Sequence, residues 1–525
     1  MALRLSNELL IKTFVMLRDN QDDRTFGLDR KKWLLVTHVC RLWRDTALAS
    51  PVLWSSVRVW GRRSQDVQFA RMCLQRAHSA PVDILVEGEG TAPVVAGIIA
   101  LAQEHSKHVR CLKLMVEETE EQVFRLGFPM PMLQTLELRA ARDIASESSV
   151  GQDFVPDPIH LPRLRELALE NVNNPWEWNS SIFAPLTSFE LSGYCYDAEP
   201  TETQFIGVLS ALRNVATLTL VRSVCDWSRT SGEDLATVVS LPALRHLTVL
   251  HWPSHIQAVI NTLEIPIQAA IHLTFCQLAD NSDECVLVEH VSKKILSRGT
   301  VTSTEDGSDS MELSCCAMSL STSADWTMEL QCRTSCLLQD TPEPLPLRVT
   351  FAQWDEENDP VPTAEVMLMH LNAFCSAVAS YGFECLHYAG SSMCDGDNII
   401  SQFLPCFHDI QLLEIEVADH TAFECAMDIQ ECYDRGCTPQ LRRLIFTDLV
   451  GTQCDFAEPL EESVASMSLE SIVVQTNADQ VLRDDLAERL QDDVDDVQVV
   501  CLSDAEVNKR ILQCQHFGVD VPWHA

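Results

Sequence analysis

One phrase recurs along this chain: a leucine, two variable residues, then two apolar residues separated by a variable one. It appears as "MLQTLELRA" (132–140), "RLRELALEN" (163–171), "PLTSFELSG" (185–193), "NVATLTLVR" (214–222), "ALRHLTVLH" (243–251), "DIQLLEIEV" (409–417), "QLRRLIFTD" (440–448) and "SLESIVVQT" (468–476). The central apolar residues fall at 136, 167, 189, 218 and 247, then at 413, 444 and 472. The resulting spacings of 22 to 31 residues lie inside or just beyond the leucine-rich-repeat range. Alternation predicts a short strand pointing every second side chain into a core, with the leading leucine covering the edge of the layer. Each copy is too small to bury its own apolar face, so the copies have to stack. The alternative is a set of isolated buried strands in an unrelated α/β domain. It stays open because the asparagine or cysteine expected after each strand is not filled regularly.

Between the copies, "TETQFIGVLSAL" and "SGEDLATVVSL" carry helical periodicity and are expected on the outer side of the stack. Upstream, "SSVRVW", "DVQFARMCLQRAHS", "VDILVEG", "PVVAGIIALAQEHS" and "VRCLKLMV" alternate extended with helical texture, which implies parallel strand pairing. Residues 296–362 are irregular: "LSRGTVTSTEDGSDS" reads as a loop, and "MELSCCAMSLS" with "WTMELQCR" as a β-hairpin. Near the C-terminal end, "NADQVLRDDLAERLQDDV" predicts a helix with Leu482, Leu486 and Leu490 on one stripe, followed by a strand at "VQVVCL". Ser503 to Glu506 then matches a capping box opening a last short helix.

Charge separates the N-terminal segment from the rest. The net charge is −38, yet residues 1–80 hold 14 Lys/Arg against 7 Asp/Glu, a net +7 that leaves −45 for the remainder. So acidic a body repels phosphate backbones and anionic lipid, and neither nucleic acid nor membrane is expected as a partner. The longest apolar run, "APVVAGIIALA" (92–102), is about half of what a bilayer requires and reads as a buried helix. The 21 cysteines are scattered, and Glu8 and Lys12 interrupt any signal-peptide core, which points to a reducing, cytoplasmic or nuclear setting.

No phosphate-binding loop, dinucleotide fingerprint, nucleophile elbow or H-E-x-x-H occurs, so no catalytic residue is assigned and an enzyme is not expected. Cys332 and Cys336 lack a second pair. "CLH" (385–387) and "CFH" (406–408) sit in apolar repeats and read as packing, and "DGDNIISQF" from Asp395 lacks the glycine and closing glutamate of a calcium loop. No metal or other cofactor is expected.

The first fifty residues predict two long helices. In "LSNELLIKTFVML", Ser6 can cap a helix whose Leu9, Leu10, Thr13, Phe14 and Leu17 recur at helical spacing. After a polar spacer, Arg18 to Lys32, "VTHVCRLWRDTALASPVLW" predicts a helix from about Leu34 to Ala49, ending at Ser50-Pro51. Projected at about 100° per residue, Val36, Val39, Cys40, Trp43 and Ala47 form a core face, and Leu35, Leu42 and Thr46 a second stripe. A segment this short cannot cover two apolar faces itself. Either the following α/β body or a partner protein covers the surplus.

These two phrases, with the continuation "SPVLWSSVRVW…CLQRAHSAPVDILV", resemble the F-box of fungal F-box proteins that carry leucine-rich-repeat-like bodies. The resemblance is specific over residues 3–60. It departs in having Ser6 where the family usually has proline, and in the length of the spacer. It implies that the N-terminal helices dock the Skp-family adaptor of a cullin-scaffolded SCF-type ubiquitin ligase while the body holds an unidentified protein substrate. The positions it implicates in adaptor binding are Leu5, Leu9, Phe14, Leu17, Val39, Cys40 and Trp43, joined by Leu42 from the surplus stripe; Trp54 matches the end of the family phrase. A protein-interaction scaffold without a role in degradation is the alternative. The expected architecture is α/β: an N-terminal helical F-box (1–54), a connecting α/β segment (55–107), an irregular leucine-rich-repeat-like solenoid with a parallel sheet (108–502, irregular near 296–362), and a C-terminal helix and tail (503–525).

Overall fold

The computed structural model describes residues 5–19, 33–86, 90–116, 126–140, 158–171, 178, 181–193, 200–222, 238–266, 268–276, 282–296, 317–322, 328–333, 347–351, 364–379, 385–390, 404–407, 410–417, 422–436, 440–448, 457–478 and 480–503. The chain divides into one unit comprising 1–226 with 241–244, and a second comprising 227–240 with 245–525. The fold is mixed α/β and is built on parallel strands.

In the first unit, helices α1 (Asn7–Asp19), α2 (Val36–Val39), α3 (Arg41–Leu48) and α4 (Pro51–Trp54) precede β1 (Ser56–Val59), α5 (Ser64–Ala77), β2 (Val82–Val86), α6 (Ala92–Glu104) and β3 (Val109–Val116). Strands β4 (Thr135–Ala140), β5 (Glu166–Glu170) and β6 (Ser188–Ser192), helix α7 (Glu202–Ala211) and β7 (Thr217–Val221) follow. Strands β1 to β7 pair in chain order, every pair parallel. Residues 55–107 thus contribute the first strands of this sheet. Thr201 and Gln204 close a reciprocal capping box at the start of α7, and α6 buries Val94, Val95, Ile98 and Ile99 as the apolar run predicts.

The recurring phrase explains the pairing. Leu112, Leu136, Leu167, Phe189 and Leu218 are register partners across β3 to β7, and Leu114, Leu138, Leu169, Leu191 and Leu220 form a second such row. All ten are buried, and each side chain withdrawn from water contributes about 1.5–3 kcal/mol. The leading leucine ends a turn: the amides of Leu133, Leu164, Leu186, Val215 and Leu244 donate to the carbonyls of Met130, Leu161, Phe183, Leu212 and Leu241, themselves buried. Two further copies escape a search for leucine, Val109-x-x-Leu112-x-Leu114 and Trp54-x-x-Val57-x-Val59, and their apolar positions are buried as well.

The corner after each strand is also shared. Asn171, Gly193 and Arg222 directly follow β5, β6 and β7, and all three have positive φ, at 51°, 92° and 49°. Asn171 donates its side-chain amide to the Ala140 carbonyl of the preceding turn at 3.0 Å, one rung of the asparagine ladder that the sequence fills irregularly. At Gly193 an added Cβ would stand 1.9 Å from Asn171 Oδ1. Gly193→Ala is therefore expected to lower the unfolding free energy by about 2 kcal/mol, combining left-handed strain with that clash. Urea denaturation would check this.

The second unit pairs β9 (His246–His251) with β11 (Ala270–Phe275), and β11 with β14 (Leu347–Phe351). The hairpin β12 (Ala317–Thr322) and β13 (Met328–Arg333) is antiparallel as expected. It sits within the sheet, β13 against β14 and β12 parallel to β15 (Cys385–Gly390). From there β15, β16 (Leu412–Val417), β17 (Arg443–Asp448), β18 (Ser471–Thr476) and β19 (Asp496–Cys501) run parallel in chain order, stacking Leu386, Leu413, Leu444 and Ile472. A separate pair joins β8 (Val239–Ser240) to β10 (Leu263–Glu264). The end of "SGEDLATVVSL" is therefore strand where helical periodicity predicts helix, because Val239 pairs with Leu263. The helix Gln480–Leu490 buries Leu486 and Leu490. Leu296 ends a helix, Ser282–Leu296; the loop after it, the site of "DGDNIISQF" and residues 504–506 of the capping box lie outside the described residues.

Candidate docking surfaces

Helix α1 begins as Ser6 predicts, its Oγ accepting the Leu9 amide at 3.4 Å. Leu10 and Phe14 face inward, and the Phe14 ring meets Trp43 at 5.1 Å between centroids. Arg18 ties the far end of α1 to α4, its Nη1 donating to the Val52 and Leu53 carbonyls at 2.8 and 3.1 Å. Trp54 anchors the group from below. It is fully buried, donates Nε1–H to the Ala47 carbonyl at 2.8 Å, meets Trp33 edge-on at 5.1 Å and receives the Arg76 guanidinium 4.3 Å above its ring.

The single helix expected from Leu34 to Ala49 is two. Cys40 is extended, with φ −158° and ψ 171°, and separates α2 from α3. The β-branched run Val36, Thr37 and Val39 favours helix weakly. Thr37 Oγ1 turns back to the Leu34 carbonyl at 2.7 Å, and Arg44 Nε donates to the Thr37 carbonyl at 2.8 Å across the break. This break invalidates a projection at constant pitch. Of the expected core face, Val36 and Ala47 are buried but Val39 is 60% exposed and Cys40 is exposed; of the second stripe, Thr46 is buried.

The outcome is more apolar surface, not less. Leu5, Leu9, Met16, Leu17, Leu35, Val39, Leu42, Leu48 and Val52 are all exposed, nine of the sixteen exposed large hydrophobic residues among those described. Among the positions implicated in adaptor binding, Leu5, Leu9, Leu17, Val39, Cys40 and Leu42 stand on the surface. Phe14 does not: at 0% exposure it packs inside, so its place in that set is corrected to support of the helix pair. Trp43 is half-buried against it. Met16, Leu35, Leu48 and Val52 join the exposed set; amphipathic spacing predicts burial somewhere but cannot say that the chain's own fold leaves these uncovered.

A second surface lies on the face of the first unit's sheet opposite the leucines. Its outer residues on β2 to β6 are half-exposed, with Arg110 and Glu166 exposed. Arg139 lies within an ionic lattice: Nε donates to Glu137 and Nη1 to Glu170, each at 2.5 Å, while Nη2 lies 3.6 Å from Glu190. Lys113 Nζ meets Glu137 at 2.7 Å, Arg110 holds Asp83 with two hydrogen bonds at 2.9 and 2.6 Å, and Thr135 Oγ1 donates to Glu166 at 2.9 Å. Burial pushes the Cys111 thiol up to about 12, which makes it inert at neutral pH.

The two glutamates flanking Arg139 titrate in opposite senses. Burial acts to raise both, but Lys113 and Arg139 together bring Glu137 below its ordinary value, whereas Glu190 stays above because Arg139 only partly offsets its desolvation. Glu137 thus adds stability above the ordinary glutamate range, and that contribution is lost as the pH falls through its depressed folded value. Glu190 takes stability away as the pH rises from 4.5 through its raised value. Glu137→Gln is expected to lower the melting temperature at pH 7 and Glu190→Gln to raise it, the difference narrowing at acid pH; scanning calorimetry across that range reads it.

Both units stack the recurring phrase in register. The body is leucine-rich-repeat-like. No family model matches the chain, and no curated protein does. Among solved structures, the leucine-rich repeat-containing protein LegL7 from Legionella pneumophila aligns with 78% of this chain and 99% of its own at 11% identity and a TM-score of 0.26, which adds nothing to what the internal register establishes. No helix among the described residues is long and apolar enough to cross a membrane, and no group of three or more metal-binding side chains occurs among them.

Proposed function

We propose that the chain is a substrate receptor of an SCF-type ubiquitin ligase. Its N-terminal helices bind the Skp-family adaptor, and its repeat body holds the protein to be modified. The observation carrying this reading is the apolar surface left uncovered on α1 to α4 by a fold that buries Leu10, Phe14 and Trp54 beneath it. The likeness of residues 3–60 to the F-box supports it, and so does the positive balance of residues 1–80, which suits an acidic adaptor. The chain needs no chemistry of its own in this role. It supplies proximity, and a separate enzyme transfers ubiquitin to lysines of the bound protein.

Hydrogen exchange on the full chain, with and without purified Skp-family adaptor, tests the reading. Slowed exchange is expected in 5–19 and 33–54 and not in the strands of the second unit. Unchanged exchange at saturating adaptor removes the proposal.

A further inference from the structure

We infer that the edge of β19 away from β18 is a docking site for the chain's own residues 516–521, which add one more parallel strand and cap the repeat body. Strand β19 carries a copy of the recurring phrase, Val494-x-x-Val497-x-Val499, and pairs along one edge with β18. Its Val497, Val499 and Cys501 are the register partners of Ile472, Val474 and Thr476, all three at 0% exposure. One strand further the cover fails. Val497 and Val499 are only half-buried and Cys501 is exposed, although Val494 and Leu502 on either side of them are buried. The copies on β16 to β18 bury both central residues, so β19 has the exposure of a repeat without its outer neighbour.

The sequence beyond β19 selects the occupant. The described residues end at Ser503, and the phrase returns after it as Cys514-x-x-Phe517-x-Val519, at a spacing of 20 residues from Val497 to Phe517. That spacing is the lower limit of the leucine-rich-repeat range. Phe517, Val519 and Val521 alternate with Gly518 and Asp520, the period of a strand with one buried face. Strands β16 to β19 each begin one residue before the first central residue, which starts the added strand at His516 and sets Phe517, Val519 and Val521 opposite Val497, Val499 and Cys501. Pro522 then stops it, and a proline at the new edge blunts further strand addition. Residues 502–515 supply the dozen or more residues of a parallel crossover, and Ser503 to Glu506 opens a helix there with Val507, Ile511 and Cys514 on one stripe. The helix Gln480–Leu490 makes the same crossover between β18 and β19. A strand from a second copy competes at a disadvantage, because so short a connection holds the chain's own segment at a roughly millimolar effective concentration.

Hydrogen exchange of the full chain at two protein concentrations about tenfold apart, beside a synthetic peptide of residues 504–525, tests this contact. The amides of 516–521 are expected to exchange at least about tenfold more slowly in the chain than in the peptide, at both concentrations. Phe517→Asp/Val519→Asp is expected to return them to the peptide's rate and to speed exchange in Asp496–Cys501, while β3 to β7 keep theirs. Cys501→Asp alters the exposed partner on β19 instead, and is expected to speed exchange in 516–521 about tenfold; it keeps the test decisive if the double variant folds poorly. Exchange of 516–521 at the peptide's rate in the parent overturns the inference. Protection lost on dilution overturns it too, and assigns the edge to a second copy. So does protection of 516–521 that survives both variants. Adaptor binding plays no part in this contact and is expected to be equal for parent and variants.

Discussion

Replacing Trp54 by alanine is expected to lower the unfolding free energy of the first unit by about 3–5 kcal/mol, the range for deleting a large, fully buried aromatic side chain. The size of the effect follows from the number of roles on one ring. Trp54 leads the first copy of the repeat phrase, whose Val57 and Val59 enter β1. It also supports the helices above through Ala47, Trp33 and Arg76. Trp54→Phe keeps most of the volume and loses one hydrogen bond, so about 1 kcal/mol beyond the packing change is expected. Denaturant unfolding followed by hydrogen exchange would show α1 to α4 losing protection before β3 to β7 in the alanine variant. Equal loss throughout the unit would mean that Trp54 is not the joint between the helices and the sheet.

The contrast with the exposed residues is the second large expectation. Leu9 and Leu42 lie on the surface, so aspartate at both positions is expected to leave the thermal melt within about a degree of the parent, since surface changes usually cost little. Adaptor affinity should fall at least about a hundredfold, because each apolar side chain buried on binding contributes about 1.5–3 kcal/mol and each new carboxylate would have to be desolvated. Phe14→Ala should do the reverse, lowering stability through the lost ring contact with Trp43 and reducing binding only as far as the helices loosen.

Much of the repeat architecture was legible because period-two alternation writes itself directly into sequence. All eight quoted phrases end in strands whose alternate residues are buried, from Leu136 and Leu138 to Ile472 and Val474. The copies at Trp54 and Val109 were hidden by non-leucine residues at the leading position. The break at Cys40 was hidden for a different reason: an extended backbone at one residue requires neither glycine nor proline, and β-branched neighbours were the only local sign. The lattice around Arg139 could not be read at all. It joins residues from three strands, and its members looked like ordinary solubilising charge until parallel register put Glu137, Ala168 and Glu190 side by side.

Titration calorimetry of the full chain with purified Skp-family adaptor, run beside the Leu9→Asp/Leu42→Asp variant, addresses the central claim most directly. The account predicts saturable binding by the parent with a negative heat-capacity change from apolar burial, and its loss in a variant that melts like the parent. No binding by the parent, or equal binding by both, would contradict it.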